Sequence, residues 1–155
     1  MNYIMRTYST FIKNLVAFSR LNDKGHFLYA YSLSGIIRLS IMVIPFRYLK
    51  KVLGVPKQES SLEITHQQLE VAKQVRRIVL LACDHTPWES KCLVRAILTA
   101  HLLKRKRIQS TLYLGVNKNR EGSMQAHAWL RTGDRIIMGG ENQSDFIEVA
   151  KFYKY

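Results

Sequence analysis

Residues 124–138 read MQAHAWLRTGDRIIM. The first half of this stretch alternates with a period of two, which is typical of a strand with one buried face. The predicted core face carries Met124, Ala126, Ala128 and Leu130. His127 and Trp129 then lie on the opposite face, where an imidazole is well placed to line a cleft. Thr132-Gly133-Asp134 predicts a hairpin turn, after which residues 135–138 return as an antiparallel strand.

The remainder of the chain predicts helices followed by one further strand. Apolar residues at helical spacing predict four helices, over residues 8–21, 27–44, 60–83 and 92–104. The third is expected to start at Ser60-Ser61-Leu62-Glu63, which has capping-box spacing. Residues 46–58 are basic, contain a glycine and a proline, and are the best linker candidate. Residues 108–116 alternate as a strand, whereas the segment after Gly140 predicts a polar stretch and a short apolar tail. This order predicts an α+β fold in which the last helix packs on an antiparallel sheet.

The charge of the chain is concentrated near its N-terminus. In 155 residues there are 24 Lys+Arg against 11 Asp+Glu, a net charge of +13. Residues 1–58 hold nine basic residues and one acid, so we divide the chain into a basic helical N-terminal part (1–58) and a core (59–155), within one compact domain. The excess of positive charge favours an anionic peptide, protein or membrane surface as a binding partner. Because the basic residues alternate with apolar ones, a solvated face of packed helices explains them equally well.

Several classes of protein are not expected. No zinc finger or RNA-recognition signature is present, so nucleic-acid binding is not predicted. Two cysteines are too few for a disulfide framework, and the N-terminus lacks the pattern of a signal peptide, so a reduced cytoplasmic setting is the simplest expectation. Residues 27–46 are apolar but interrupted by Arg38 and Pro45, which falls short of a clean membrane span. A helix there that is buried, or that touches a membrane surface, is favoured instead.

Cys92 is the first candidate for chemistry. It lies near the start of the last predicted helix, and a helix N-terminus promotes the thiolate form of a cysteine. If Ser90 caps that helix, Cys92 falls in the first turn; if Thr86 does, it falls in the second. The competing interpretation is a small buried hydrophobic residue on the helix, which is a common environment for a free cysteine.

His127 is the matching candidate for a general base, since a cysteine nucleophile is activated by a nearby imidazole. A histidine that simply hydrogen-bonds to backbone is the alternative. A third group should hold the far nitrogen of the ring. The hairpin register places the segment from Gly139 to Glu141 opposite His127. Glu141 is the nearest carboxylate there, with Asn142 and Asp145 behind it.

Zinc is the competing use of these residue types. Cys83, His85, Cys92 and His101 supply four ligand atoms, but their spacing fits no standard zinc pattern. We therefore expect no metal and no cofactor.

Several motifs together resemble a known family. They are Pro87-Trp88-x3-Cys92-Leu93, Lys104-Arg105-Lys106-Arg107-Ile108, Leu112-x-Leu114-Gly115-Val116 and Ala126-His127-Ala128-Trp129-Leu130. The family is the transglutaminase-like cysteine peptidase of lasso peptide biosynthesis, in the compact form split from its leader-binding partner. The resemblance covers roughly residues 60–147. It implies a transglutaminase- or papain-like core in which the helix that carries the nucleophile packs on the sheet.

The resemblance also implies roles for the candidates. Cys92 is the nucleophile, His127 its base, and the third residue is usually an aspartate on the neighbouring strand. This sequence has Gly139-Gly140 in that place. Three assignments therefore stay open, namely Glu141, the side-chain amide of Asn142, or a catalytic dyad.

The implied reaction removes the leader from a ribosomally made precursor peptide. The implied partners are this leader–core precursor, a separate small leader-binding protein, and an ATP-dependent cyclase that forms the macrolactam. The basic N-terminal part becomes a candidate docking surface for an acidic leader or partner. Two other classes stay open. Another acyl-transfer enzyme would use the same Cys92 and His127, whereas a non-catalytic basic binding protein would need neither.

Overall fold

The structure is a computed structural model, and it describes residues 24–118 and 122–155. Its helices are α1 (Lys24–Val43), α2 (Phe46–Leu53), α3 (His66–Asp84) and α4 (Cys92–Arg105). Its strands are β1 (Val55–Pro56), β2 (Ser110–Lys118), β3 (Met124–Thr132), β4 (Arg135–Met138) and β5 (Ile147–Lys154), and a 3-10 turn spans Gln143–Asp145. The helix predicted over residues 8–21 lies outside the described residues.

The strands form one antiparallel sheet in the order β1-β5-β2-β3-β4. The hairpin of β3 and β4 is confirmed, and β2 pairs with the other side of β3. The prediction of a simple apolar tail was wrong, because β5 pairs along the free side of β2. A buried strand cannot leave its backbone groups without partners, so β2 needs a neighbour on both sides. The last eight residues before Tyr155 supply one.

The helices pack against this sheet around one core. Helix α4 contacts β2, β3 and β4, α3 packs on α4 and β4, and α1 packs on α3 and α4. Ala128 and Leu130 join the main hydrophobic cluster, as the alternation predicts, but Met124 and Ala126 of the same predicted face are exposed. Trp129 is buried and stacks on Tyr113 from the neighbouring strand, with ring centroids 5.6 Å apart. The predicted α+β fold, with a helical part before the sheet, is confirmed.

The start of α3 differs from the prediction. Its cap is Thr65, whose hydroxyl accepts a hydrogen bond from the amide of Gln68, while the Gln68 side chain returns a bond to the cap. The prediction that this helix starts at Ser60 was wrong. Ser60 is buried, and its amide donates to Thr111 Oγ1 on β2 (2.8 Å). The segments 60–63 and 65–68 both have capping-box spacing. Ser60 is engaged in its contact with Thr111, and Thr65 forms the cap instead.

The linker prediction for residues 46–58 was also wrong. Helix α2 begins directly after Pro45, a residue that cannot continue α1 but suits a helix start. Its Leu49 and Leu53 are buried, and β1 then pairs with β5. These residues are therefore part of the folded domain. The predicted helix over residues 27–44 is confirmed as α1.

Candidate active site

Cys92 is the first residue of α4 and is half-buried. The residue before it, Lys91, is the N-cap, and its side chain makes no capping hydrogen bond. The first-turn placement is confirmed, although neither Ser90 nor Thr86 is the cap. The free amides and the dipole of a helix N-terminus both favour negative charge at this position. An oxyanion formed beside Cys92 would be stabilised by both.

The loop before α4 is held by its own polar side chains. The Thr86 hydroxyl donates to the Cys83 carbonyl (2.9 Å), and its oxygen lies 3.0 Å from Ser90 Oγ. Arg95, one turn into α4, donates from Nε to the Ser90 carbonyl (2.7 Å). The Trp88 ring donates from Nε1 to Ser34 Oγ on α1 (3.1 Å). The loop therefore fixes the entry of the chain into α4, and with it the position of Cys92.

His127 lies on β3, and its ring is anchored by a backbone carbonyl. Nε2 is 2.8 Å from the Gly139 oxygen. A carbonyl oxygen only accepts hydrogen bonds, so Nε2 carries the proton. In the neutral ring, Nδ1 is then the basic nitrogen. A cysteine–histidine pair needs this tautomer, with one nitrogen held and the other free to take the thiol proton.

Gly139 can make this contact because it is a glycine. Its φ is +71°, in the left-handed region that other residues avoid. A Cβ atom there would lie 2.5 Å from the Ala128 oxygen and 3.2 Å from the Trp129 Cα. The register prediction pointed to Gly139 as a position opposite His127, but not to its carbonyl as the anchor. The Gly-Gly pair facing a histidine is the available sequence signal.

Two aromatic rings flank the imidazole. The Trp129 ring stacks near it, at a centroid distance of 6.1 Å, and the Phe146 ring lies at 4.9 Å. Gly115 on β2 is the register partner of His127 and leaves space for both rings. A Cβ at Gly115 would approach Trp129 Cζ3 to 2.7 Å and Phe146 Cβ to 3.0 Å. A glycine inside a strand often marks such a close approach. Sequence reasoning gave Gly115 no role, and its position inside a strand was the available signal.

Cys92 and His127 line the same open cavity, of about 550 Å³. The cavity is also lined by Leu80, Glu89, Ser90, Lys91, Arg95, Met138, Gly139 and Glu141. The helix start and the imidazole of the hairpin are thus brought to one cleft, although 35 positions separate them in the sequence. The structure places the two predicted catalytic residues together.

The third predicted residue, Glu141, lines the cavity and pairs with a residue of α3. Its Oε1 lies 3.6 Å from Arg76 Nη2 on α3, and its side chain is 74% exposed. Asn142 and Asp145 are both exposed at the 3-10 turn. Within residues 24–118 and 122–155, the hydrogen bond that holds the His127 ring goes to Gly139 and not to any of these side chains. A catalytic role for Glu141 stays a prediction.

The rim of the cavity carries paired charges. Glu89 lies 2.5 Å from Lys91 Nζ and 3.0 Å from Arg38 Nη2 on α1. The hydrogen bond from Lys91, followed by the charges of Lys91 and Arg38, holds the pKa of Glu89 below its usual value. Arg95 pairs with Asp84 at 2.8 Å. The approach to Cys92 is therefore lined by ion pairs.

The second thiol lies in a different environment. Cys83 is buried on α3, and burial raises the pKa of its thiol. His85 Nδ1 donates to the Leu81 carbonyl (2.6 Å), and His101 hydrogen-bonds to Tyr29 (3.0 Å). In the part of the chain that the structure describes, no three His, Cys, Asp or Glu side chains come together as a metal-ion site. Of the two cysteines, Cys92 is the one at the cavity.

Comparison with known families agrees with this arrangement. The family model described as the transglutaminase-like superfamily matches residues 40–151, which is more than two thirds of the chain. The match includes Cys92 and His127, and it begins within α1. No curated protein and no solved structure matches the chain. The chain belongs to the transglutaminase-like superfamily.

Proposed function

We propose that the protein is a cysteine peptidase that removes the leader peptide from a ribosomally made lasso peptide precursor. The observation that carries this proposal is that Cys92, at the start of α4, and His127, with its Nε2 held by Gly139, line one open cavity. A superfamily built on cysteine acyl transfer and proteolysis is consistent with that chemistry. The lasso assignment itself rests on the resemblance of the sequence motifs.

The first half of the reaction forms an acyl-enzyme. Nδ1 of His127 takes the proton from the Cys92 thiol, and the thiolate attacks the carbonyl carbon of the last leader residue. The tetrahedral oxyanion is stabilised by amides at the start of α4, which receive no side-chain cap from Lys91. The C–N bond then breaks, and His127 gives its proton to the departing core amine.

The second half releases the leader. A water molecule loses a proton to His127 and attacks the thioester carbon. Collapse of this intermediate breaks the C–S bond, and the Cys92 thiolate recovers its proton from the imidazolium. The products are a leader with a free carboxylate and a core with a free amine.

The third role is filled, in this proposal, by the main-chain oxygen of Gly139. It fixes the tautomer and the orientation of His127, as a carboxylate or amide side chain does in other sites of this kind. It adds no negative charge, so the imidazolium is stabilised less than it would be by an aspartate. Glu141 remains the side-chain candidate, because it lines the same cavity.

The proposed partners follow from the proposed substrate. A separate small leader-binding protein delivers the precursor, and an ATP-dependent cyclase closes the macrolactam of the released core. The expected setting is the cytoplasm, where the thiols stay reduced.

The test is cleavage of a co-encoded precursor peptide in the presence of the leader-binding protein. Cys92→Ala should lose at least about 1,000-fold in rate, because the nucleophile is gone. Cys83→Ala makes the same chemical change at a buried thiol and should keep most of the activity, after correction for folded protein. Full activity of Cys92→Ala would end the peptidase proposal.

A second acyl-transfer function uses the same two residues and is favoured by the superfamily match. The mass of the product separates the two reactions, because hydrolysis adds water whereas transfer adds an amine. A leader fragment that carries an added amine would move the assignment to a transglutaminase-like enzyme.

A further inference from the structure

Apolar side chains are exposed where α1 meets α2. We call this surface the apolar corner, and it consists of Leu39, Met42, Val43, Ile44, Phe46, Tyr48 and Val52. Met42 and Val43 are 68% and 71% exposed. Single exposed apolar residues are ordinary, but seven of them around one helix junction are of the kind that marks a binding surface.

Exposed basic residues lie among the apolar residues of this corner. Helix α2 exposes Arg47, Lys50 and Lys51 among the apolar residues. The Arg47 guanidinium lies 4.8 Å from the centroid of the Tyr48 ring, and Lys51 Nζ lies 5.9 Å from it. The sequence from 24 to 58 contains six basic residues and no acidic one. The occupant of this surface must therefore be apolar inside and anionic at its boundary.

The shape of the surface favours a bilayer over a peptide. The cavities of about 500, 520 and 550 Å³ found in the described residues are all lined by other parts of the chain. Exposed apolar and aromatic residues beside lysines are typical of a helix that lies in a membrane interface. The lysine and arginine heads then remain at the level of the lipid phosphates.

Helix α1 is tied into the domain, which argues for contact with the membrane surface and against a span. By length and composition α1 is able to cross a membrane, and 17% of its most apolar window is buried. However, its Ser34 is buried and accepts a hydrogen bond from Trp88, and its Arg38 pairs with Glu89 at 3.0 Å. A spanning helix would lose both contacts. Contact through the exposed side keeps them.

We propose that the apolar corner docks the protein on an anionic lipid bilayer, with Met42, Val43 and Phe46 entering the interface and Lys50 and Lys51 on the lipid phosphates. The proposal is independent of the peptidase activity. It also competes with an acidic leader or partner protein on the same basic part of the chain.

The experiment is co-sedimentation of the full 155-residue chain with vesicles of phosphatidylglycerol and phosphatidylcholine in equal parts, beside vesicles of phosphatidylcholine alone. Wild type should bind the anionic vesicles and lose binding as salt is added. Lys50→Gln with Lys51→Gln should weaken binding about 30-fold, since each cation near such a surface contributes about fivefold. Met42→Ser with Phe46→Ser should weaken it at least about tenfold.

The matched control is Arg77→Gln with Lys106→Gln, which removes the same charge from exposed residues of α3 and the end of α4. It should bind within about threefold of wild type, because charges farther than a Debye length from the lipid are screened. Circular dichroism confirms that each variant is folded. An equal loss of binding in the control would show that net charge alone explains the binding. It would overturn the assignment of the apolar corner as the lipid-binding surface.

Other outcomes would also refute the lipid proposal. Failure of wild type to bind anionic vesicles overturns it directly. If poly-glutamate binds instead, with the same dependence on Lys50 and Lys51, the surface serves an acidic peptide or protein. If the chain dimerises in solution and Met42→Ser with Phe46→Ser breaks the dimer without vesicles, the occupant is a second copy.

Discussion

Gly115→Ala should damage the proposed site without changing either of the two proposed catalytic residues. The new Cβ would lie 2.7 Å from Trp129 Cζ3, whereas ordinary contacts begin near 3.4 Å. The Trp129 ring must therefore move by about 0.7 Å, or Phe146 and the backbone must give way. Since both rings pack on His127, the displacement passes to the imidazole.

Both stability and rate should fall. Overpacking of this kind costs about 1–3 kcal/mol in the free energy of unfolding. For a chain of this size that corresponds to a fall in Tm of about 3–10 °C. A misplaced base slows the chemical step, and we expect kcat for precursor cleavage to drop about 10- to 100-fold in the fraction that is folded. Thermal denaturation and single-turnover cleavage measure the two effects.

Gly25→Ala is the matched control, because the same methyl group at Gly25 meets nothing within 4 Å on α1. Its Tm should stay the same or rise, since alanine favours a helix. Trp129→Phe on the Gly115→Ala background removes the ring atoms that the methyl strikes. The combined loss in unfolding free energy should then be smaller than the sum of the single losses. If Gly115→Ala matches Gly25→Ala in both Tm and rate, the aromatic rings do not position the imidazole.

Three further predictions concern single side chains. Iodoacetamide at about pH 7.5 should alkylate Cys92 before Cys83, because burial raises the pKa of the Cys83 thiol. Peptide mass spectrometry identifies the site of the first adduct, and a first adduct on Cys83 in the native protein would contradict the prediction. Glu141→Gln should keep cleavage within about threefold, because the Gly139 carbonyl holds the imidazole, and a loss of about 100-fold would give Glu141 the third role. Burial and three neighbouring cations lower the pKa of His101 below its ordinary 6.5, so the unfolded chain binds the proton first as pH falls. Unfolding free energy should therefore decrease below about pH 6.5 in wild type and decrease less in His101→Gln, as urea titrations at several pH values can measure; equal slopes would contradict it.

The parts of the fold that local pattern decides were predictable. The β3–β4 hairpin follows from alternation around a glycine turn, and α1 follows from its apolar content and the Pro45 that ends it. Cys92 was placed near a helix start from the residues around it. These elements need no information from distant parts of the chain.

The errors arose where distant contacts decide. Helix α2 is only eight residues long and is stabilised by burying Leu49 and Leu53, so its local sequence reads as a connection. Strand β5 forms by pairing with the edge of β2 that β3 does not occupy, a contact between distant parts of the chain. The His127 ring is held by a main-chain oxygen, and the carboxylate and amide side chains in the sequence give no indication of such a contact. The turn length of the hairpin and the glycine at 139 were the only indications of it in the sequence.

A main-chain anchor changes what evolution must preserve around His127. No substitution can delete a carbonyl, so the hydrogen bond that holds the His127 ring does not depend on the side chains that follow Gly139. The quantity under constraint is instead the number of residues between the two strands. One inserted residue in the Gly133-Asp134 turn would slide β4 along β3 by about 3.4 Å and present the imidazole with the wrong peptide unit. A change in the length of this surface turn would thus disturb the proposed active site.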